Sequence, residues 1–242
     1  MANMTDTKSI AVRAVAWNCA GWAASKWKWL TDTWQRRKCS LPEILLLCET
    51  KTKKLAEMTK VVEPLGYTVH LNVHTGNSSL HGVALLVRTK ALKELGIEHD
   101  AIKVTLECKT RSDAGKNASD ATQGRVVAIR LRFSKSSSMV VVGYYAPNSG
   151  VGGKHLEYRA QQWEPALRKA LQGLVERETH VVVLGDWNVA PGDMDVTHPD
   201  TAHTRACCFK EERQAFATLV SDGWVDAWRK EHGDKSRRIH AP

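Results

Sequence analysis

Val181-Val-Val-Leu-Gly185-Asp186-Trp-Asn188-Val-Ala190 is the stretch on which the fold turns. Its apolar, mostly β-branched run is too short for a helix and stops abruptly at a glycine, a carboxylate and a carboxamide. Such a run reads as a strand buried on both faces. Its polar end must leave the core, so Asp186 and Asn188 are expected at the rim of a sheet, two residues apart and on one face. A site built on such a rim is rigidly held.

Working outward, three other runs finish in the same way. Residues 10–18 (Ile-Ala-Val-Arg-Ala-Val-Ala-Trp-Asn18) close on Asn18, residues 43–49 (Glu-Ile-Leu-Leu-Leu-Cys-Glu49) on Glu49, and Met139-Val-Val-Val-Gly-Tyr-Tyr145 runs into Ala-Pro-Asn148-Ser-Gly. Four apolar strands ending in Asn, Glu, Tyr or Asp predict one oxygen-rich pocket at an edge of stacked sheets. Further strand patterns fall near 67–73, 82–88, 101–107 and 125–133, and helical ones near 24–38, 51–64, 155–176 and 210–222. Their alternation predicts packed helix and sheet layers. In the third helix Leu156, Ala160, Trp163, Leu167, Ala170 and Leu174 share a face, and Pro165 inside that pattern predicts a kink or a restart. Residues 1–9 read as a disordered tail and Lys109–Gln123 as an exposed polar loop.

Several ordered motifs carry a family resemblance. Trp-Asn18-Cys-Ala-Gly, Cys-Glu49-Thr-Lys, Leu-Gly-Tyr67, His81-Gly-Val-Ala-Leu-Leu, Gln-Gly-Arg125-Val-Val-Ala, Tyr145-Ala-Pro-Asn148-Ser-Gly, Leu156-Glu-Tyr-Arg, Gly-Asp186-Trp-Asn188-Val-Ala-Pro and Glu212-Arg213-Gln214 occur in this order. Together they resemble the exonuclease III family of apurinic/apyrimidinic (AP) endonucleases, within the endonuclease/exonuclease/phosphatase superfamily. The resemblance runs over residues 10–242. It implies an α/β fold, a four-layer α-β-β-α sandwich with two packed mixed sheets, and Mg²⁺-dependent hydrolysis of a DNA phosphodiester 5′ to an abasic site.

Roles follow from the same resemblance. Mg²⁺ takes hard oxygen ligands and keeps several waters, so one or two carboxylates are enough. Glu49 is the expected metal ligand, with Asn18 beside it as an orienting or secondary oxygen, and Mn²⁺ as a substitute ion. Asp186 would align the attacking water and take its proton. Tyr145 and Asn188 would donate to the phosphate oxygens as charge builds, with Asn148 and Arg125 binding substrate. Two departures stand out. Ala20 occupies a position where relatives carry a carboxylate or carboxamide, and the Ser-Asp-His motif bearing an Asp–His dyad does not occur before Pro242. The expectation is a member incomplete at its C-terminus, with its last strands missing and cleavage impaired.

Composition bounds the rest. A length of 242 residues suits one large α/β domain. No 18-residue apolar run and no charged-then-apolar leader occur, so neither a membrane span nor a signal peptide is expected. That predicts an intracellular protein, nuclear in a eukaryote and otherwise cytoplasmic. The six cysteines form no CxxC pair, which favours reduced, mostly buried thiols. Net charge is +9, and residues 1–60 hold 11 Lys/Arg against 5 Asp/Glu. Such a surface suits nucleic acid, here duplex DNA with abasic sites; the sequence names no protein partner. Trp27, Leu30 and Trp34 share a helical face, read as one covering a sheet in preference to a platform for unstacked bases. Competing readings are a target-nicking endonuclease domain of a LINE-type retrotransposon polyprotein, a phosphatase of the same superfamily, and a degenerate non-catalytic nucleic-acid-binding relative.

Overall fold

The computed structural model describes residues 10–74, 80–108, 124–178 and 180–233. The expected tail at 1–9 and the expected loop at 109–123 lie outside the described residues. The chain gathers into two compact units that alternate along the sequence. The first takes Met1–Val104, Gln123–Tyr144 and Glu178–Asp186; the second takes Thr105–Thr122, Tyr145–Arg177 and Trp187–Pro242.

The strands of the first unit make two mixed α/β-type sheets of four. One joins β1 (Ala14–Asn18), β2 (Ile44–Cys48), β3 (Tyr67–Asn72) and β4 (Val83–Arg88) in the order β1-β2-β4-β3. Here β1 runs parallel to β2, while β4 is antiparallel to both its neighbours. The other joins β5 (Glu98–Ile102), β6 (Val126–Arg132), β7 (Ser138–Tyr145) and β8 (Val181–Asp186) in chain order. The sheets pack face to face, with β1 and β2 near β8, and β3 and β4 near β6. They lie close at Gly143, where an added Cβ would stand 2.5 Å from Leu46 Cδ1.

Position in the sheet, not composition alone, settles burial. Every residue of β2 is buried, as its Ile-Leu-Leu-Leu-Cys run predicts for an inner strand. The run in β8 was expected to be buried on both faces, and it is not. Among the described residues it is an edge strand, with Val182 39% exposed. An apolar run states that a strand can be buried; its neighbours decide whether it is. Strand β5 is also displaced from the expected 101–107. Its extent is set by pairing with β6, from Glu98 opposite Arg132 to Ile102 opposite Ala128. Among the described residues the alternation that runs on to Glu107 has no partner strand.

Helices α1 (Ala24–Arg36) and α2 (Leu55–Val62) cover the first sheet. Trp27, Met58 and Val62 pack with Leu45, Leu47, Tyr67, Ala84 and Leu86, and Leu30 and Trp34 lie against that cluster. The tryptophan face of α1 is therefore core. Helix α3 (Thr89–Glu94), too short to show a period, escaped the sequence reading.

The second unit holds α4 (Leu156–Tyr158), α5 (Glu164–Val175), α6 (Pro199–Ala202), α7 (Lys210–Ser221) and α8 (Ala227–His232). A π-helical turn over Arg159–Trp163 separates α4 from α5, and Pro165 sits in the first turn of α5. A missing N–H costs nothing in that turn, so the expected restart is what the chain does. Among the described residues no helix is long and apolar enough to cross a membrane.

Candidate active site

In the first unit the site grows from the ends of β1 and β2. Parallel register sets Asn18 opposite Cys48, so Asn18 and Glu49 leave the sheet at the same end. Backbone bonds continue past the strands: Gly21 N–H donates to Glu49 O at 2.7 Å, Thr50 N–H to Gly82 O at 2.9 Å, and Gly82 N–H to Gly124 O at 3.0 Å. This rim bends sharply. Ala20, Glu49, Lys51 and His81 all hold left-handed φ angles between 40° and 54°. Each costs on the order of 1–3 kcal/mol and persists where surroundings over-determine it, as at functional sites. Gly82 is required: a Cβ there would lie 2.4 Å from Thr50 Oγ1.

The side chains on this rim are locked together. Asn18 Nδ2 donates to Glu49 Oε1 at 2.9 Å and to Asp186 Oδ2 at 2.8 Å. Its Oδ1 accepts from Ala20 N–H at 3.0 Å. Glu49 Oε2 meets Lys51 Nζ at 2.7 Å. Lys26 Nζ donates to the carbonyls of Cys19, Ala20 and Gly21 at 2.6, 3.0 and 3.0 Å, tying down the loop that follows Asn18.

Two carboxylates held by one amide are a hard-oxygen donor set that fits Mg²⁺, which needs few protein ligands. Among the described residues no group of three or more His, Cys, Asp or Glu could hold a metal. Asn18 turns its oxygen to Ala20 and its NH₂ to the carboxylates. Arg125 follows Gly124 at the start of β6 and is buried, 7% exposed, rather than presented to solvent.

The second unit builds a different cluster. Asn148 Nδ2 donates to Asn188 Oδ1 at 3.1 Å, and Asn188 Nδ2 donates to Ala146 O at 2.8 Å. Cys207 Sγ lies 3.5 Å from Asn188 Oδ1. Asn188 is not part of β8, which ends at Asp186, and its φ is 45°. The expected same-face relation between Asp186 and Asn188, a property of extended strand, therefore does not carry across. Tyr145 ends β7 and is buried.

Beneath this turn lies a buried charge network. Arg159 is 1% exposed. Its Nε donates to Glu164 at 3.0 Å, and Nη1 to Glu212 at 3.1 Å. The same guanidinium donates to the carbonyls of Trp187 at 2.7 Å and Asn188 at 2.5 Å. Glu212 Oε1 also accepts from Ser149 Oγ at 2.6 Å, and its Oε2 from Phe209 N–H at 3.0 Å. Burial pushes the Glu164 carboxyl up, and Arg159 opposes that shift. Arg159 and Glu212 stood in motifs of the resemblance, yet sequence reading assigned them no role. A buried arginine looks like any surface arginine until the fold surrounds it.

The structure thus brings Asn18, Glu49 and Asp186 together in one unit, and Asn148 and Asn188 in the other. Comparison with known proteins adds to this geometry. A model of the Endonuclease/Exonuclease/phosphatase family matches residues 15–235. A DNA-(apurinic or apyrimidinic site) endonuclease of Dictyostelium discoideum is 26% identical over 219 residues, covering 90% of this chain and 53% of the relative. A DNA repair nuclease of Danio rerio is 29% identical over 236 residues, covering 96% and 66%. The chain thus spans about half to two thirds of the length of these curated relatives. Among solved structures, an AP endonuclease from Leishmania major superposes with a TM-score of 0.68 at 25% identity, covering 90% of this chain and 68% of that one.

Proposed function

The chain belongs to the endonuclease/exonuclease/phosphatase family, and from that premise we propose that it is a DNA hydrolase of the AP-endonuclease type. Its substrate on this reading is duplex DNA with abasic sites, cut at the phosphodiester 5′ to the lesion in the presence of Mg²⁺, with Mn²⁺ as a substitute. The observation that carries the reading is the bridge from Asn18 to both Glu49 and Asp186. It is supported by relatives named for AP-site cleavage and DNA repair and by a net charge of +9 that suits a polyanion.

Glu49, with Asn18 beside it, is the residue that would hold the ion, and when bound it would neutralise charge on the phosphate and lower the pKa of a water. Asn18 keeps the two carboxylates oriented. Asp186 accepts the proton of the attacking water. Asn148 and Asn188 are assigned to the phosphate oxygens, their amides already fixed in direction by mutual bonding. Tyr145 is assigned a donor role at the same oxygens. Turnover by these 242 residues is expected to be slow, because the Ser-Asp-His motif does not occur in them. The site of action would be the intracellular compartment that holds DNA.

Nicking of a duplex carrying a tetrahydrofuran abasic analogue, with and without Mg²⁺, tests the reading. Cleavage 5′ to the analogue that vanishes with EDTA and in Asp186→Asn supports it. Cleavage insensitive to both would overturn it. Ala20, which offers no side-chain oxygen, favours one competing reading, a non-catalytic nucleic-acid-binding relative. Tight DNA binding with no cleavage at any divalent-ion concentration would select that reading.

A further inference from the structure

Asn188 has a backbone that a non-glycine residue seldom adopts, with φ at 45°, and something must hold it there. Its side chain bonds to Ala146, Asn148 and Cys207, which fix the amide's direction. The carbonyl side is held by Arg159. Two of that guanidinium's terminal nitrogens reach consecutive carbonyls, Trp187 O and Asn188 O, while the same planar group also meets two carboxylates, a spread over three nitrogens that a lysine's single ammonium nitrogen does not have. Glu164 holds Nε, and Glu212 shares Nη1 with the Asn188 carbonyl, anchoring the group to α5 and α7. If the arginine served only to neutralise Glu164 and Glu212, it would have no need to span both carbonyls. The π-helical turn in which Arg159 sits is a feature that recurs at functional sites.

We infer that Arg159 is a positioning residue for the hydrolysis: it sets the left-handed turn at Asn188 and thereby aims the Asn188 amide. The inference rests on the proposed role of Asn188 at the phosphate. It goes beyond it by naming what fixes that amide.

Arg159→Lys keeps one buried positive charge for Glu164 and Glu212 but loses the planar group that serves both carboxylates and both carbonyls at once. Its kcat on the abasic duplex falls about 10- to 100-fold, as expected for a misplaced transition-state donor, while KM stays within about twofold. In the Asn188→Ala background the same change costs nothing further, because the group it aims is gone. The HN–Hα coupling of Asn188, which reports φ, shifts in Arg159→Lys. Should that variant not fold, Arg159→Met combined with Glu164→Gln and Glu212→Gln removes the buried charges together and carries the same expectations.

A kcat loss that persists in full alongside Asn188→Ala would overturn the inference, as would an unchanged Asn188 coupling. If the unaltered chain shows no Mg²⁺-dependent nicking, it is the functional reading that fails. The coupling measurement then still decides whether Arg159 sets the turn.

Discussion

Asn18 and Asp186, 168 positions apart in sequence, are joined by a 2.8 Å hydrogen bond from Nδ2 to Oδ2, and the same amide nitrogen reaches Glu49 at 2.9 Å. Two carboxylates drawn together repel unless donors or a cation offset them. The Asn18 carboxamide supplies part of that offset here, and Lys51 Nζ, 2.7 Å from Glu49 Oε2, supplies more.

Asn18→Ala removes the bridge and leaves both acids in place. We expect weaker Mn²⁺ binding, read by electron paramagnetic resonance, and about a tenfold loss of nicking, in line with loss of a group that orients metal ligands. Asp186→Asn should cost more, on the order of 10²- to 10⁴-fold, as removal of a general base does. Affinity for DNA should change little in either variant. An Asp186→Asn enzyme with undiminished cleavage would remove Asp186 from the mechanism.

Gly185, between the strand and Asp186, has a φ of 152°, and a Cβ there would lie 1.8 Å from Tyr144 O. No rotamer relieves a clash with backbone. Gly185→Ala should destabilise by about 3 kcal/mol or more, the scale of overpacking with backbone strain. In a chain this long that lowers Tm by roughly 6–12 °C. A melt unchanged by the substitution would mean that β7 and β8 approach each other less closely.

Thiol reactivity should follow burial. Cys39 is exposed, whereas Cys19 and Cys48 are buried. Burial pushes the Cys48 thiol up to about 12, and its Sγ lies 3.5 Å from Tyr144 O. Since the thiolate is the nucleophile, iodoacetamide should label Cys39 first, and Cys48 only on unfolding. Mass spectrometry of timed samples reads the order, and early labelling of Cys48 would contradict the packing of β2.

Acid should weaken the first unit through His70 and His99, whose rings stand 5.6 Å apart on β3 and β5. Burial lowers both from the ordinary 6.5. His70 is lowered further by His99; at His99, Asp100 works against the shift and Lys93 with it. The unfolded chain therefore takes up these protons at a higher pH than the folded one. Stability is full above the ordinary value and is lost as pH falls from there through the lowered folded values. Urea midpoints at about pH 7.5 and pH 5 should differ more in the natural chain than in His70→Phe. An equal difference would clear the pair of any part in acid sensitivity.

Much of this architecture was legible in the chain itself. Four strand runs that close on polar residues, and the spans of α1, α2, α5 and α7, were read close to where they lie. Those patterns record which side of an element meets the core, and a period of two or of three to four survives in sequence. Edge positions were not legible. Val181-Val-Val-Leu reads like an inner strand, yet its place at the end of the β5-β6-β7-β8 sheet leaves Val182 exposed. Helix α3 carries too few residues to show a period.

By itself, the sequence determined the kinds of group available: Asn18, Glu49 and Asp186 at strand ends, Asn148 and Asn188 close by in sequence, and an excess of positive charge. These depend on local pattern and composition, which a chain carries whether folded or not. Tertiary structure alone decided that Asn18 would serve Glu49 and Asp186 as a shared donor, that Arg125 would be buried, and that Arg159 would reach two carbonyls beneath Asn188. Each of those outcomes joins residues tens to hundreds of positions apart. Hydrogen bonds fall off within an ångström of their best length, so only the packed backbone could choose which of the available groups would meet.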